Sequence, residues 1–144
     1  MRVTMKQSEY ERILQHSRDQ YPEEACGLIA GIDREDGVRE IRAVYLLTNT
    51  DHSGGHFSID PIEQLAAVRA MRASGLKPLG NWHSHPETPS RSSEEDIRFA
   101  VDKNASYLIL SLQDPEAPVL NSFHVEQGIS TAEELTIIED LETK

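Results

Sequence analysis

A chain of 144 residues is long enough to bury one core and reads as one domain, residues 1–144. Its 25 Asp+Glu against 14 Lys+Arg leave a formal charge of −11, which repels phosphate backbones and excludes nucleic acid as a principal partner. With 27% charged and 38% hydrophobic residues the composition is globular, and no run approaches the ~20 apolar residues of a membrane span, so a cytoplasmic protein with no membrane partner is expected.

Residues 5–20 (MKQSEYERILQHSRDQ) place Tyr10, Ile13, Leu14 and Ser17 on one helical face, and Pro22 marks the stop. The apolar run CGLIAGI predicts a buried strand, Asp36-Gly37 a turn, and REIRAVYLLTN a returning strand, together a hairpin. Cys26, the single cysteine, can form no internal disulfide and reads as a small buried residue in that run. The polar loop TDHSGGH leads to a short strand, FSI. Asp60-Pro61 then opens a helix, with Asp60 as N-cap, Glu63 in the first turn, Gly75 as terminator and Ile62, Leu65, Val68 and Met71 as its inward stripe.

KPLGNWHSH predicts a further strand, with Leu79 and Asn81 on the face that carries His83 and His85. Ser92 or Ser93 caps a helix running to about Asn104. YLILSLQ is a buried strand, Asp114-Pro115 a turn, VLNSFHV a strand with Leu120, Ser122 and His124 on one face, and ELTII a last strand before the charged end EDLETK. The sum is an α+β domain: three helices around a mixed, mostly antiparallel, curved sheet.

The chemistry concentrates in NWHSHPETPSRSSEED. On a strand, residues i and i+2 project from one face with Cα atoms ~6.6 Å apart, so His83 and His85 can converge on one ion. Pro86 ends the strand, the loop turns back, and Asp96 falls in the first turn of the next helix, where a carboxylate also suits the dipole. Two imidazoles and a carboxylate make the three protein ligands of a catalytic zinc site, whose fourth position is kept for water. Other histidines read more plainly. His16 and His124 are expected as polar surface or satisfied core groups. His52 and His56, with Asp51, have ligand-like residue types but flank Gly54-Gly55 in a turn. Alone, Glu24 reads as a surface acid and Ser93 as a helix cap.

HSHPETPSRSSEED, with YPEEACGLIAG upstream, resembles the JAMM motif of the JAB/MPN-domain metallopeptidases: H-x-H-P, then Asp after ten intervening residues, with Ser three before it, and a Glu-x-x-Gly setting after the first helix. The likeness extends over nearly the whole chain, including FSIDP and GNWHSHP. It implies one zinc ion held by His83, His85 and Asp96, Glu24 as general base, and Ser93 as the hydroxyl that assists the tetrahedral intermediate. It implies a metal-activated water with no covalent intermediate, so Cys26 is not needed as a nucleophile. Only ten residues separate Asp96 from Tyr107, which leaves little room for insertions and matches the compact prokaryotic type. Those members cleave after the C-terminal Gly-Gly of a ubiquitin-like sulfur carrier protein, releasing cysteine or a related amino acid or trimming the carrier. Two alternatives stay open: a peptidase or isopeptidase that deconjugates ubiquitin-like modifiers or acts more generally, and a non-catalytic MPN scaffold. Neither the oligomeric state nor the identity of the carrier is readable.

Overall fold

The computed structural model describes residues 1–140; the last four residues of the charged end EDLETK lie outside them. The alternation of Arg2–Lys6 buries Val3 and Met5 and makes the first element a strand, β1, so that the first helix, α1, spans Gln7–Gln20. The expected helix from residue 5 therefore begins two residues late, after a strand that the helical pattern concealed. The expected hairpin forms from β2 (Cys26–Asp33) and β3 (Val38–Leu47), turning at Gly37 with φ +89°. α2 (Pro61–Ala73) has the Asp60 cap, whose carboxylate accepts the Ile62 N–H. β4 (Lys77–His85), a short α3 (Glu94–Phe99), β5 (Ser106–Ser111), β6 (Val119–Glu126) and β7 (Ile129–Ile138) complete the described order.

The strands close in the order β1-β3-β2-β4-β5-β6-β7, and β1 joins β7 to β3 by parallel pairing on both sides. The expected curved sheet is thus a seven-stranded barrel, because the overlooked β1 supplies the strand that seals it. The class remains mixed α+β, and antiparallel pairings outnumber parallel ones.

Two apolar layers follow from strand alternation. Ile29, Val44, Trp82, Leu108 and Leu110 share a buried cluster with Ile13 of α1, while Ala30 and Leu47 face the other way and pack with Ala67 and Met71 of α2. Fully burying one such side chain stabilises by about 1.5–3 kcal/mol, so these two layers supply most of the adhesion between helices and sheet.

Several local expectations are corrected. Of the expected stripe on α2, Met71 is fully buried, while Ile62 and Leu65 are exposed and Ala67 packs inward beside Met71. The FSI segment contributes only an isolated bridge between Asn49 and Ile59. α3 ends at Phe99, not Asn104, because Ala100 leaves helical backbone with ψ 82°. Leu79 joins the Trp82 cluster and not the histidine face: the pairing of β2 and β4 slips at this point, and Gly80, with φ +151°, carries the irregularity. A Cβ there would lie 1.9 Å from the Ser106 carbonyl oxygen. The last strand reaches from Ile129, well ahead of ELTII.

Candidate metal centre and catalytic site

Cys26 pairs with His83 across β2 and β4, and Leu28 on the same face as Cys26 packs toward α2. His83 and His85 therefore sit on the α2 side of the sheet, at the last residues of β4. One pair further out, Ser84 N–H donates to the Ala25 carbonyl (3.0 Å) and Ala25 N–H to Ser84 Oγ (2.8 Å). Continued one more residue, that register sets Glu24 opposite His85.

The loop after Pro86 returns the chain so that α3 brings Asp96 to the histidines. His83 Nε2 lies 3.2 Å from Asp96 Oδ1, His85 Nε2 lies 3.0 Å from Asp96 Oδ2, and the two Nε2 atoms are 3.2 Å apart. A tetrahedral ion at ~2.0–2.1 Å from each ligand separates its ligands by about 3.3 Å, close to these edges. The donor set fits as well. His85 Nδ1 lies 2.9 Å from the Pro89 carbonyl oxygen, to which it donates, so in the neutral ring Nε2 carries only its lone pair. A bare Nε2 facing a carboxylate oxygen at this range is repulsive unless a proton or a cation lies between them. Among the described residues, this is the one group of three His, Cys, Asp or Glu side chains close enough to hold an ion.

The electrostatics follow from burial and these contacts. Burial lowers the His83 pKa against the opposing pull of Asp96. Burial also acts to lower that of His85, but the hydrogen bonds to Asp96 and to the Pro89 carbonyl outweigh it and raise the value. For Asp96 burial acts upward, and the hydrogen bonds from His83 and His85 overcome it, holding the carboxyl well below the usual range. Glu24 is 4% exposed, and burial pushes its carboxyl up to about 8, with His85 pulling it down and Asp96 pushing it further up. Glu24 Oε1 has no hydrogen-bond partner in the protein. A buried acid with an idle oxygen beside a cation site is suited to carrying a proton.

Ser93 is the N-cap of α3. Its Oγ accepts the Asp96 N–H at 3.0 Å while its own N–H donates to Asp96 Oδ2 at 2.9 Å. The hydroxyl hydrogen is thus left to point outward, so capping and donation to a substrate are compatible. Asp96 is at once the reciprocal capping residue and a corner of the triangle.

The remaining expectations separate cleanly. Cys26 is fully buried and its thiol is pushed up to about 12 by burial, then by Glu24. His16 Nε2 meets the Leu47 carbonyl oxygen (3.1 Å), and His124 Nε2 meets that of Lys103 (2.9 Å), both as satisfied polar groups. His52 and His56 bond separately, to Glu23 (3.2 Å) and Asp51 (2.8 Å).

Residues that the sequence did not single out complete the site. Asn49, 3% exposed, donates to the carbonyl oxygens of Glu24 and His56, both at 3.0 Å, and accepts from Asp51 N–H and Ser58 N–H. It ties the loop to the backbone that carries Glu24. Phe57 stacks on His83 with ring centroids 4.8 Å apart. A four-way amide of this kind leaves no spacing signal, and Phe57 was absorbed into an expected strand.

Comparison with known proteins places this geometry in context. A family model described as prokaryotic homologs of the JAB domain matches residues 6–125. The chain is 33% identical over 124 residues to the CysO-cysteine peptidase of Mycobacterium tuberculosis, covering 86% of this chain and 83% of that protein. It is 28% identical over 115 residues to the desampylase of Haloferax volcanii, covering 76% and 81%. A protein of Desulfitobacterium hafniense, solved in solution, superposes with a TM-score of 0.88 at 46% identity over 97% of this chain and 95% of that one. The chain belongs to the JAB/MPN family, in its prokaryotic branch.

Proposed function

We propose that this protein is a zinc-dependent peptidase that hydrolyses the amide bond after the C-terminal Gly-Gly of a ubiquitin-like sulfur carrier protein, releasing cysteine or a related amino acid. The observation that carries this reading is the His83–His85–Asp96 triangle, with buried Glu24 two residues before the neighbouring strand β2. The CysO-cysteine peptidase and the desampylase among its relatives support a carrier or modifier protein as substrate.

His83, His85 and Asp96 would hold a zinc ion, which would supply Lewis acidity and lower the pKa of a water to roughly 7. Glu24, whose carboxylate form a cation bound beside it would favour, takes the proton of the attacking water and delivers it to the departing amine nitrogen. The Ser93 hydroxyl donates to the carbonyl oxygen as charge develops there, its own oxygen held by the Asp96 N–H. Pro89 keeps His85 in the tautomer that presents Nε2. No side chain forms a covalent bond to substrate, in keeping with the protonated, buried Cys26.

The test is mass spectrometry of CysO–cysteine and other ubiquitin-like carrier adducts before and after incubation with zinc-loaded protein. Loss of the residue after Gly-Gly is expected. Cleavage only of lysine-linked protein conjugates would favour deconjugation, the activity that the Haloferax relative's name suggests. No cleavage of any adduct by zinc-loaded protein would favour a scaffold.

A further inference from the structure

The segment from Pro86 to the Ser93 cap is neither strand nor helix, yet it delivers a carbonyl to His85 and turns the chain toward Asp96. Side chains of the barrel fasten it. Ser111 Oγ donates to the Thr88 carbonyl (2.6 Å), Asn121 Nδ2 donates to the Ser90 carbonyl (3.1 Å), and Ser90 Oγ donates back to the Ile109 carbonyl (2.6 Å). Three consecutive carbonyls are thus taken: Thr88 by Ser111, Pro89 by the His85 ring, and Ser90 by Asn121.

Strand register explains why these two side chains are in reach. Residues paired across neighbouring strands share a face of the sheet. His85 pairs with Ser111, while His83 pairs with Ile109, which pairs in turn with Asn121. The two rows that carry the histidines therefore continue across the sheet into a serine and an asparagine, beneath the returning loop. Satisfaction of polar groups alone does not call for them. Thr88 and Pro89 are exposed, so water is available to their carbonyls. What protein donors add is direction: fixing the carbonyls before and after Pro89 keeps the Pro89 carbonyl on His85 Nδ1. A metal-binding histidine is oriented by the partner of its other ring nitrogen, and here that partner is a loop carbonyl.

We propose that Ser111 and Asn121 are positioning residues for the metal centre: they hold the Pro89 carbonyl against His85 Nδ1 and so aim His85 Nε2 at the ion. The inference rests on the His83–His85–Asp96 triangle as a metal site and adds what keeps one of its corners in place. Tyr21 provides the contrast. Its hydroxyl donates to Glu87 Oε1 (3.1 Å) at the exposed start of the same loop, a side-chain contact that leaves the carbonyls around Pro89 alone.

The experiment withdraws zinc from loaded protein with a competing chelator of known affinity, then records the visible spectrum of the cobalt(II)-substituted form. Ser111→Ala and Asn121→Leu should each weaken zinc binding about 10–100-fold and shift the cobalt bands, with circular dichroism matching the native protein. Ser111→Thr keeps the hydroxyl and should return both readouts toward native, while Tyr21→Phe should leave both unmoved. Should the leucine prevent folding, Asn121→Ala decides by the same readouts. Anchors that only stabilise the fold would lower the urea midpoint and leave zinc affinity and the cobalt spectrum native in both variants. That result would overturn the proposal while the triangle stands. Absence of stoichiometric zinc from the native protein after loading would overturn both together.

Discussion

Two segments of this chain pair two histidines with an acid, and only one of them gathers the three side chains within reach of one ion. His83 and His85 stand two apart on a paired strand, are buried, and converge with Asp96 to within 3.2 Å. His52 and His56 stand four apart in a turn, keep exposed side chains, and reach different carboxylates, Glu23 and Asp51. The residue types are nearly the same. What differs is the backbone: a strand fixes the direction of alternate side chains, whereas a turn at Gly54-Gly55 lets each ring find its own partner. Burial adds the second condition, because in water a histidine–carboxylate pair gains little from proximity.

The largest effect that tests this contrast is metal loss. His83→Ala, His85→Ala and Asp96→Ala should each abolish stoichiometric zinc by elemental analysis and, with it, turnover. Asp96→Ala should also lower stability, since it removes the carboxylate that accepts the Ser93 N–H. Retention of zinc in all three variants would sink the assignment.

That triangle was legible because each of its parts has a local signature: the i, i+2 pair before Pro86, and an acid at the N3 position behind a serine cap. Glu24 was legible only through its resemblance to the JAMM setting, since its backbone is held by residues distant in sequence, its N–H by the Ser53 carbonyl and its carbonyl by the Asn49 amide. β1 went unread because RVTMK is five residues long and runs into a helical pattern, and its reason to be a strand lies in distant β3 and β7. Closure of the barrel was hidden for the same reason. The exposed Ile62 and Leu65 show periodicity naming a stripe that the tertiary contact does not use, and the slip at Leu79–Gly80 breaks an alternation that sequence alone can only assume regular.

Next in size is Glu24→Gln. A side chain that moves protons without holding the ion should keep zinc when replaced yet lose about 10²–10⁴-fold in kcat. Near-native turnover would put the base elsewhere. Ser93 comes after it, and its two roles can be separated. Ser93→Ala removes both hydroxyl and cap, so kcat should fall about 10²–10³-fold with stability reduced by ~0.5–2 kcal/mol. Ser93→Gly loses the hydroxyl but costs a helix N-cap only a few tenths of a kcal/mol, so it should match the alanine variant in kcat while remaining close to native in urea denaturation. Full activity in the glycine variant would reduce Ser93 to a cap.

The pH response of the metal-free protein isolates Glu24 differently. Its carboxyl is raised from an ordinary 4.5 to about 8 by burial, so between these values the folded chain holds a proton that the unfolded chain has released. Its stabilising contribution is therefore complete below about pH 4.5 and is lost as pH rises through about 8. In the presence of chelator, the urea midpoint should decline over this window more steeply for the native sequence than for Glu24→Gln. His83 and His85 are common to both proteins, so the difference between the two slopes reports Glu24 together with its pull on His85. Parallel slopes would show that the carboxyl is not held protonated.

The smallest expected effect closes the comparison from the other side. His52 is exposed, and its one side-chain contact is with Glu23, itself partly exposed. Breaking an exposed pair of this kind changes little, because water solvates both partners as well as they solvate each other. His52→Ala should therefore retain one zinc per chain and keep kcat and KM within about twofold of native, within the ordinary range for a surface change. Glu24 argues the point further, since it is the next residue after Glu23 and its N–H donates to Ser53 O at 2.7 Å within the same loop. If the turn helped to place Glu24, the proposed general base, through its histidine, kcat would fall in His52→Ala while zinc stayed bound. The buried amide of Asn49 already fastens the loop at Glu24, His56 and Ser58, so the loop does not depend on the exposed ring. A fall in kcat of tenfold or more would mean that the turn, and not the strand pairing with its buried amide, positions the base, and that the two histidine segments work as one.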